Sequence, residues 1–189
     1  MSLVHALNWL LWLWAASEIC VLLFTRTRAG GGMVSDQGSL HLLWPVIGLS
    51  ISAGTWYGAA HPHTIVHGAP WLLVLALSLM LAGLVVRWTA ILSLGKAFSA
   101  NVAIRDGQTV KSDGLFRFVR HPSYTGMLLI LAAIGLTTRN WIALLLVVVP
   151  SMAALLYRIH VEEAVLEQAF GNAYYEYRVR TSRLLPGIY

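Results

Sequence analysis

Residues 124–157 read YTGMLLILAAIGLTTRNWIALLLVVVPSMAALLY, an apolar run broken once, by Thr137-Thr138-Arg139-Asn140. The polar quartet divides the run into two helices of about 13 and 17 residues. Two apolar helices joined by a short polar turn form a hairpin whose tip reaches the far side of a membrane. The first of them covers only about 20 Å against roughly 30 Å of hydrocarbon. The residues feeding it are therefore expected to lie below the membrane surface, or the bilayer to thin there.

Upstream of the hairpin stand three longer apolar windows, Leu3–Phe24, Leu40–Ala60 and Trp71–Leu94, each long enough to span. The whole composition agrees with this. Of 189 residues 58% are hydrophobic and 11% charged, less than half the charge of an ordinary soluble domain. Five spans of about 21 residues would use roughly 105 residues, close to the size of the hydrophobic set. A soluble enzyme and a disordered chain are excluded, and there is no room for a second soluble domain. The expected fold class is an all-α integral membrane protein with about five transmembrane helices. Residues 1–94 would supply three N-terminal helices. Residues 95–189 would supply a long loop, the hairpin and C-terminal cytoplasmic helices. The apolar run that begins at residue 3 has no basic flank or cleavage site, and reads as a first span that is retained.

The net charge of +5 would raise nucleic-acid binding in a soluble protein. In a membrane protein Lys and Arg collect in cytoplasmic loops, and nucleic acid is not an expected partner. Lys96, Arg105, Lys111, Arg117 and Arg120 precede the hairpin, Arg158, Arg178, Arg180 and Arg183 follow it, and Arg26 and Arg28 occupy the first loop. Five spans put these eleven on one side and only Arg139 on the other, with Arg87 inside a span. The expected orientation is N-terminus out and C-terminus in the cytoplasm. Cys20, the single cysteine, excludes an intrachain disulfide and reads as a small packed hydrophobe.

Several polar groups stand out against this background. Glu18 and Arg87 lie inside spans at similar depth. They form either an ion pair that fixes helix packing or part of a polar cavity. His61, His63 and His67 have a spacing open to metal binding, but no Cys, Asp or Glu accompanies them. A solvated outer loop is the simpler reading, no metal is expected, and no histidine lies well inside a span to ligate haem. Residues 98–124, FSANVAIRDGQTVKSDGLFRFVRHPSY, are long for a loop between membrane helices. The turn signals Asp106-Gly107 and Asp113-Gly114 suggest an ordered hairpin there. Pro122 can open the next helix, whose free N–H groups attract anions. Arg158 and Glu162 are four apart and share a helix face. They can hold two oppositely charged ligand groups, or form a surface pair contributing a few tenths of a kcal/mol. Gly171 is expected to divide the amphipathic tail into two short helices.

Taken in order, Phe98-Ser99-Ala100, Asp106-Gly107-Gln108-Thr109-Val110, Gly114-Leu115-Phe116 and Arg120-His121-Pro122-Ser123-Tyr124-Thr125-Gly126 form a series. After the hairpin it continues with Arg158, Glu162-Glu163, Leu166, Phe170-Gly171, Tyr174, Tyr177 and Arg183-Leu184-Leu185-Pro186. This series, over roughly residues 92–186, resembles the isoprenylcysteine carboxyl methyltransferase family of integral membrane enzymes. The resemblance implies an S-adenosyl-L-methionine-dependent methyltransferase whose cofactor enters from the cytosol and whose lipophilic acceptor enters from the bilayer. By the family pattern Gln108, Thr109, Val110, Lys111, Phe116, His121, Pro122, Ser123, Tyr124 and Glu162 would bind the cofactor. Arg158 would be the catalytic residue that orients the acceptor carboxylate. Phe116 stands where the family often has Tyr, and Gln108 where it often has His. The family acceptor is isoprenylated cysteine. A small thiol, an alkylated phenol or pyrone, or a lipid amine remains open. Two other readings also remain: an NADPH-dependent reductase of the sterol reductase-like group, and a non-enzymatic small membrane transporter or assembly protein. The paired Glu162-Glu163 favours the methyltransferase.

Overall fold

The computed structural model describes residues 3–25, 33–34, 38–62, 66, 70–101, 103–104 and 107–188. Six helices follow one another: α1 (Leu3–Phe24), α2 (Ser39–Ala60), α3 (Trp71–Leu94), α4 (Pro122–Thr137), α5 (Trp141–Phe170) and α6 (Asn172–Arg180). By length and composition α1, α3 and α5 can cross a membrane, while α4 is a shorter apolar helix of 16 residues. α2 has 22 residues and carries more small and polar side chains. Trp9, Trp12, Phe24, Leu49, Trp56, Val85 and Leu92 all point outward, exposed. So much large apolar surface facing outward suits lipid and not water. The protein is an integral membrane protein with an all-helical fold.

Small residues set the helix packing. α3 lies along α4 with Gly83 facing Gly126. A Cβ on Gly126 would come within 2.6 Å of the Gly83 carbonyl oxygen and 2.7 Å of the Arg87 nitrogen. α2 lies along α5 in the same manner, and a Cβ on Gly54 would meet the Ala143 carbonyl at 2.8 Å. In lipid, where apolar burial does not drive association, backbones packed this closely supply the dispersion contact that does. The core between the helices holds Met80, Met127, Ile130, Leu131, Val147 and Leu155, so both halves of the chain build it.

The hairpin turn follows the polar quartet. Arg139 sits at a positive φ of 52°, and Asn140 caps α5 by accepting from the nitrogens of Ile142 at 2.9 Å and Ala143 at 3.1 Å. Beyond the turn, α5 runs on past Tyr157 for a total of 30 residues. At 1.5 Å per residue it is about 45 Å long, some 15 Å more than the hydrocarbon needs. What reads in the sequence as a membrane helix and a first tail helix is one continuous helix. Nothing between Tyr157 and Phe170 breaks it until Gly171, at φ 52°, turns the chain into α6.

The long loop differs from the expected hairpin. Its only strand among the described residues, β2 (Ala103–Ile104), pairs antiparallel with β1 (Met33–Val34) from the first loop. The segment from Gln108 to Lys111, which would have returned as a partner strand, forms no ladder and faces a cavity. Asp113-Gly114 opens a 3-10 turn over Gly114–Arg117, with Gly114 at φ 58°. Arg26, Arg28, Arg105 and Asp106, used above for orientation and turn signals, lie outside the described residues, as do His63 and His67. His61 stacks on Tyr57 with ring centroids 4.1 Å apart.

Candidate functional site

At one end of the bundle the C-terminal ends of α1 and α3, the starts of α2 and α4 and the extension of α5 surround a cavity. Loop residues 98–101, 104 and 108–111, with α6, complete its walls, and its volume is about 1220 Å³ counted to the open mouth. Gln108, Thr109, Val110, Lys111, Phe116, His121, Pro122, Ser123, Tyr124, Arg158 and Glu162, the residues singled out in the sequence, all line it.

The first turn of α4 forms one wall. Pro122 occupies its first position, where a missing N–H costs nothing. The C-terminal segment straps this turn down. The Arg120 nitrogen donates to the Ser182 carbonyl at 2.8 Å and the His121 nitrogen to the Arg183 carbonyl at 3.1 Å. The Thr125 hydroxyl donates to the Leu184 carbonyl at 2.8 Å.

The two adjacent glutamates of α5 part ways. Glu163 is 4% exposed and faces away from the cavity. One of its oxygens accepts from Arg120 Nε at 2.8 Å and faces His121 Nε2 at 3.3 Å. The other accepts from Arg183 Nη2 at 2.9 Å. Glu163 thus ties the α4 turn and the C-terminal strap to α5. Glu162 turns into the cavity, where it accepts a hydrogen bond of 2.7 Å from the Tyr124 hydroxyl. The same hydroxyl accepts from Arg158 Nε at 3.3 Å, so Tyr124 bridges Arg158 and Glu162.

Arg158 is 2% exposed. Its Nη2 donates to the Ala100 carbonyl at 2.6 Å, and its Nη1 donates to the Ser39 hydroxyl at the start of α2. Its guanidinium plane is therefore fixed by three elements: α2, the loop and α4. On the far wall the Tyr177 hydroxyl donates to the Phe116 carbonyl at 2.8 Å, and burial raises that phenol above its usual range. Tyr174 is 2% exposed, its phenol raised by burial and then by Glu163 and Glu162. Its hydroxyl is one of the few buried side-chain polar atoms without a hydrogen-bond partner among the described residues. Lys111 also pairs with Asp113, which does not line the cavity, at 2.9 Å and holds that carboxyl below its usual range.

Some of the lining lies outside the site residues that the sequence singles out. Leu40, Leu43 and Trp44 of α2, Phe98 and Asn101 of the loop, and Tyr174 belong to it. The aromatic tail offered a signal for Tyr174. An isolated Trp in an apolar helix offers none. Glu18 and Arg87 do form an ion pair, and both also line the cavity, so the two readings of these charges hold together.

Comparison with known proteins shows what the chain is similar to. The curated relatives include protein-S-isoprenylcysteine O-methyltransferase B of Arabidopsis thaliana, 30% identical over 61% of this chain and 60% of its own length. The Schizosaccharomyces pombe protein-S-isoprenylcysteine O-methyltransferase is 30% identical over 59% of this chain and 48% of its length. That of Xenopus laevis is 32% identical over 62% of this chain and 42% of its length. The chain thus spans about half the length of the relatives it matches. In fold it is similar to the solved eukaryotic intramembrane Ras methyltransferase ICMT, with a TM-score of 0.61 at 24% identity, over 73% of this chain and 51% of that one. The model of the isoprenylcysteine carboxyl methyltransferase (ICMT) family matches residues 74–168, which run from α3 through the loop and the hairpin to the glutamates of α5, and the chain belongs to that family.

Proposed function

We propose that the protein is a membrane methyltransferase that moves a methyl group from S-adenosyl-L-methionine to the carboxylate of a lipophilic acceptor, isoprenylcysteine or a similar amphiphile. The observation that carries this reading is the convergence of Arg158, Glu162 and residues 108–111, 116 and 121–124 on one cavity with a polar and an apolar wall. The names of the curated relatives support the acceptor class.

The donor set suits the cofactor. Glu162 offers a carboxylate to ribose hydroxyls or an ammonium group, and the rings of Phe116, Tyr124 and Tyr174 offer faces to a base and a cation. The orphaned Tyr174 hydroxyl lacks a partner that a bound polar ligand can supply. Bound there, S-adenosyl-L-methionine supplies an electrophilic methyl group on a sulfonium sulfur.

The chain's own task is positioning. A carboxylic acid is ionised at neutral pH, since carboxyl pKa values lie near about 4, so no general base is needed. Arg158 presents a planar fork that orients a carboxylate by two parallel hydrogen bonds. Its ties to Ser39, Ala100 and Tyr124 keep that fork in one plane before the acceptor arrives. Leu40, Leu43 and Trp44 line the side that would take the lipid chain and keep water from it. In this reading five helices span, the cavity opens on the cytoplasmic side, and the acceptor slides in from the bilayer.

Titration in lipid nanodiscs with S-adenosylhomocysteine and, separately, NADPH tests the cofactor. Labelled S-adenosyl-L-methionine with N-acetyl-S-farnesylcysteine tests the reaction. Binding of NADPH alone would sink the reading, and no methyl ester on this probe would remove isoprenylcysteine as the acceptor. For the topology, cysteines at positions 139 and 180 in a Cys20→Ala background are expected to label from opposite sides. Labelling from the same side overturns the five-span arrangement.

A further inference from the structure

Glu18 on α1 and Arg87 on α3 are each 4% exposed, and they meet fork to fork, Arg87 Nε and Nη2 on the two Glu18 oxygens. A pair that only joined α1 to α3 would end there. Arg87 Nη1 instead crosses to α4 and donates to the Ser123 hydroxyl at 2.8 Å and the Ser123 carbonyl at 3.3 Å. A residue held by both its side chain and its carbonyl is fixed in rotation as well as in place. Ser123 stands in the first turn of α4, beside His121, Pro122 and Tyr124.

The electrostatics explain why this takes two residues. A helix N-terminus carries a positive partial charge and repels a cation. A lone Arg at that spot, inside the membrane, would be costly. Glu18 cancels the charge and leaves the directional N–H donors of Arg87 to act on the turn. The backbones of α3 and α4 are already in contact at Gly83 and Gly126, so Arg87 reaches Ser123 without slack.

We propose that Glu18 and Arg87 are a positioning pair for the site, setting the turn 121–124 against the cavity. The inference rests on the cavity's being the methyl-donor site proposed above. It gives α1, whose residues lie outside the matched family region, a part in the reaction.

The test uses the full chain in nanodiscs and two readouts, amide hydrogen exchange without ligand and S-adenosylhomocysteine affinity. Arg87→Lys keeps the charge beside Glu18 but has one nitrogen in place of three, so it cannot hold both Glu18 oxygens and Ser123 at once. It is expected to speed exchange over residues 123–127 while α1, the rest of α3 and α5 stay protected, and to lower affinity about ten-fold. The exchanged pair, Glu18→Arg with Arg87→Glu, restores an ion pair between α1 and α3, but a Glu at position 87 cannot donate to Ser123. It is expected to recover helix protection and thermal stability without recovering affinity or the slow exchange of the turn. Ser123→Ala should loosen the turn as Arg87→Lys does, with the Glu18–Arg87 pair intact. Full recovery of turn and affinity in the exchanged pair would overturn the proposal, as would native exchange over 123–127 in Arg87→Lys. If the wild type binds no S-adenosylhomocysteine yet the turn loosens as described, the donor assignment fails and the positioning role stands.

Discussion

Residues 108–124 and 158–177 bring side chains to the cavity in series, mostly adjacent in the loop and about one helical turn apart on α5 and α6. By contrast α1, α2 and α3 each bring two or three, of which at most one is charged, from one edge of an otherwise apolar helix. The difference is physical. A loop and a helix extension outside the hydrocarbon can afford several neighbouring polar residues, because water or a ligand satisfies them. Inside the hydrocarbon each polar group needs its own partner. So Glu18 is spent on Arg87, and the Ser39 hydroxyl on Arg158. The two runs form the pocket wall, and the single polar residues fix where that wall stands.

Within the runs, Glu162 and Glu163 sharpen the contrast, and the largest effect is expected at the one that does not face the cavity. Glu163→Ala leaves the guanidinium of Arg120, 8% exposed, beside Arg183 with no carboxylate. Removing one partner of a buried pair costs about 3–5 kcal/mol. The thermal midpoint should drop, and the strap at residues 182–184 should become open to carboxypeptidase. A variant with native stability and a protected C-terminus would show that Glu163 is no anchor. Glu162→Ala should spare stability and weaken S-adenosylhomocysteine binding by about ten- to a hundred-fold, or about 1–3 kcal/mol. Unchanged affinity on calorimetric titration would remove Glu162 from the donor site, and an equal loss of stability in both variants would erase the distinction between them.

Arg158 stands where the run on α5 meets the single residue on α2. Arg158→Lys keeps a charge and loses the planar fork. Methyl transfer should fall about ten-fold, or about 1.4 kcal/mol in transition-state binding, with S-adenosylhomocysteine affinity nearly unchanged. A parallel loss of both would assign Arg158 to the donor pocket or to the fold. Full activity would mean that a point charge suffices, and would turn the acceptor toward a thiol, phenol or pyrone.

How far the sequence could be read follows the same division. α1 and α3 coincide with their apolar windows, since nothing polar blurs either edge. The end of α5 is hidden in the sequence because hydropathy falls at Arg158 while helical periodicity continues to Phe170, and hydropathy records the membrane boundary, not the helix. The residues of the runs could be read because their spacing survives in the linear order. The β1–β2 pairing could not, because it joins two loops through backbone groups that no side-chain pattern marks. Trp44 and Ser39 look like any other residue of an apolar helix until α5 is laid against α2.

Ser39 therefore carries the smallest prediction and the one that probes the single residues most directly. Its hydroxyl is buried, 1% exposed at residue level, and takes one hydrogen bond from Arg158 Nη1. Ser39→Ala removes that acceptor and leaves the ties from Arg158 to Ala100 and Tyr124. A hydrogen bond to a charged group is worth about 1.5–3 kcal/mol at most, and a guanidinium still anchored by the loop and α4 should recover part of it. The expected loss is a few-fold in kcat for methyl transfer, about 1 kcal/mol, with donor affinity and thermal midpoint close to native. Ser39→Thr, which restores the hydroxyl, should recover most of the rate. Rescue by Ser39→Thr and not by Ser39→Cys, which fills the same space with a weak acceptor, separates an oriented Arg158 from simple packing at the start of α2. If Ser39→Ala is as active as the wild type, the plane of Arg158 is set by the loop and α4 alone. The contribution of α2 to the site would then shrink to the apolar wall at Leu40, Leu43 and Trp44.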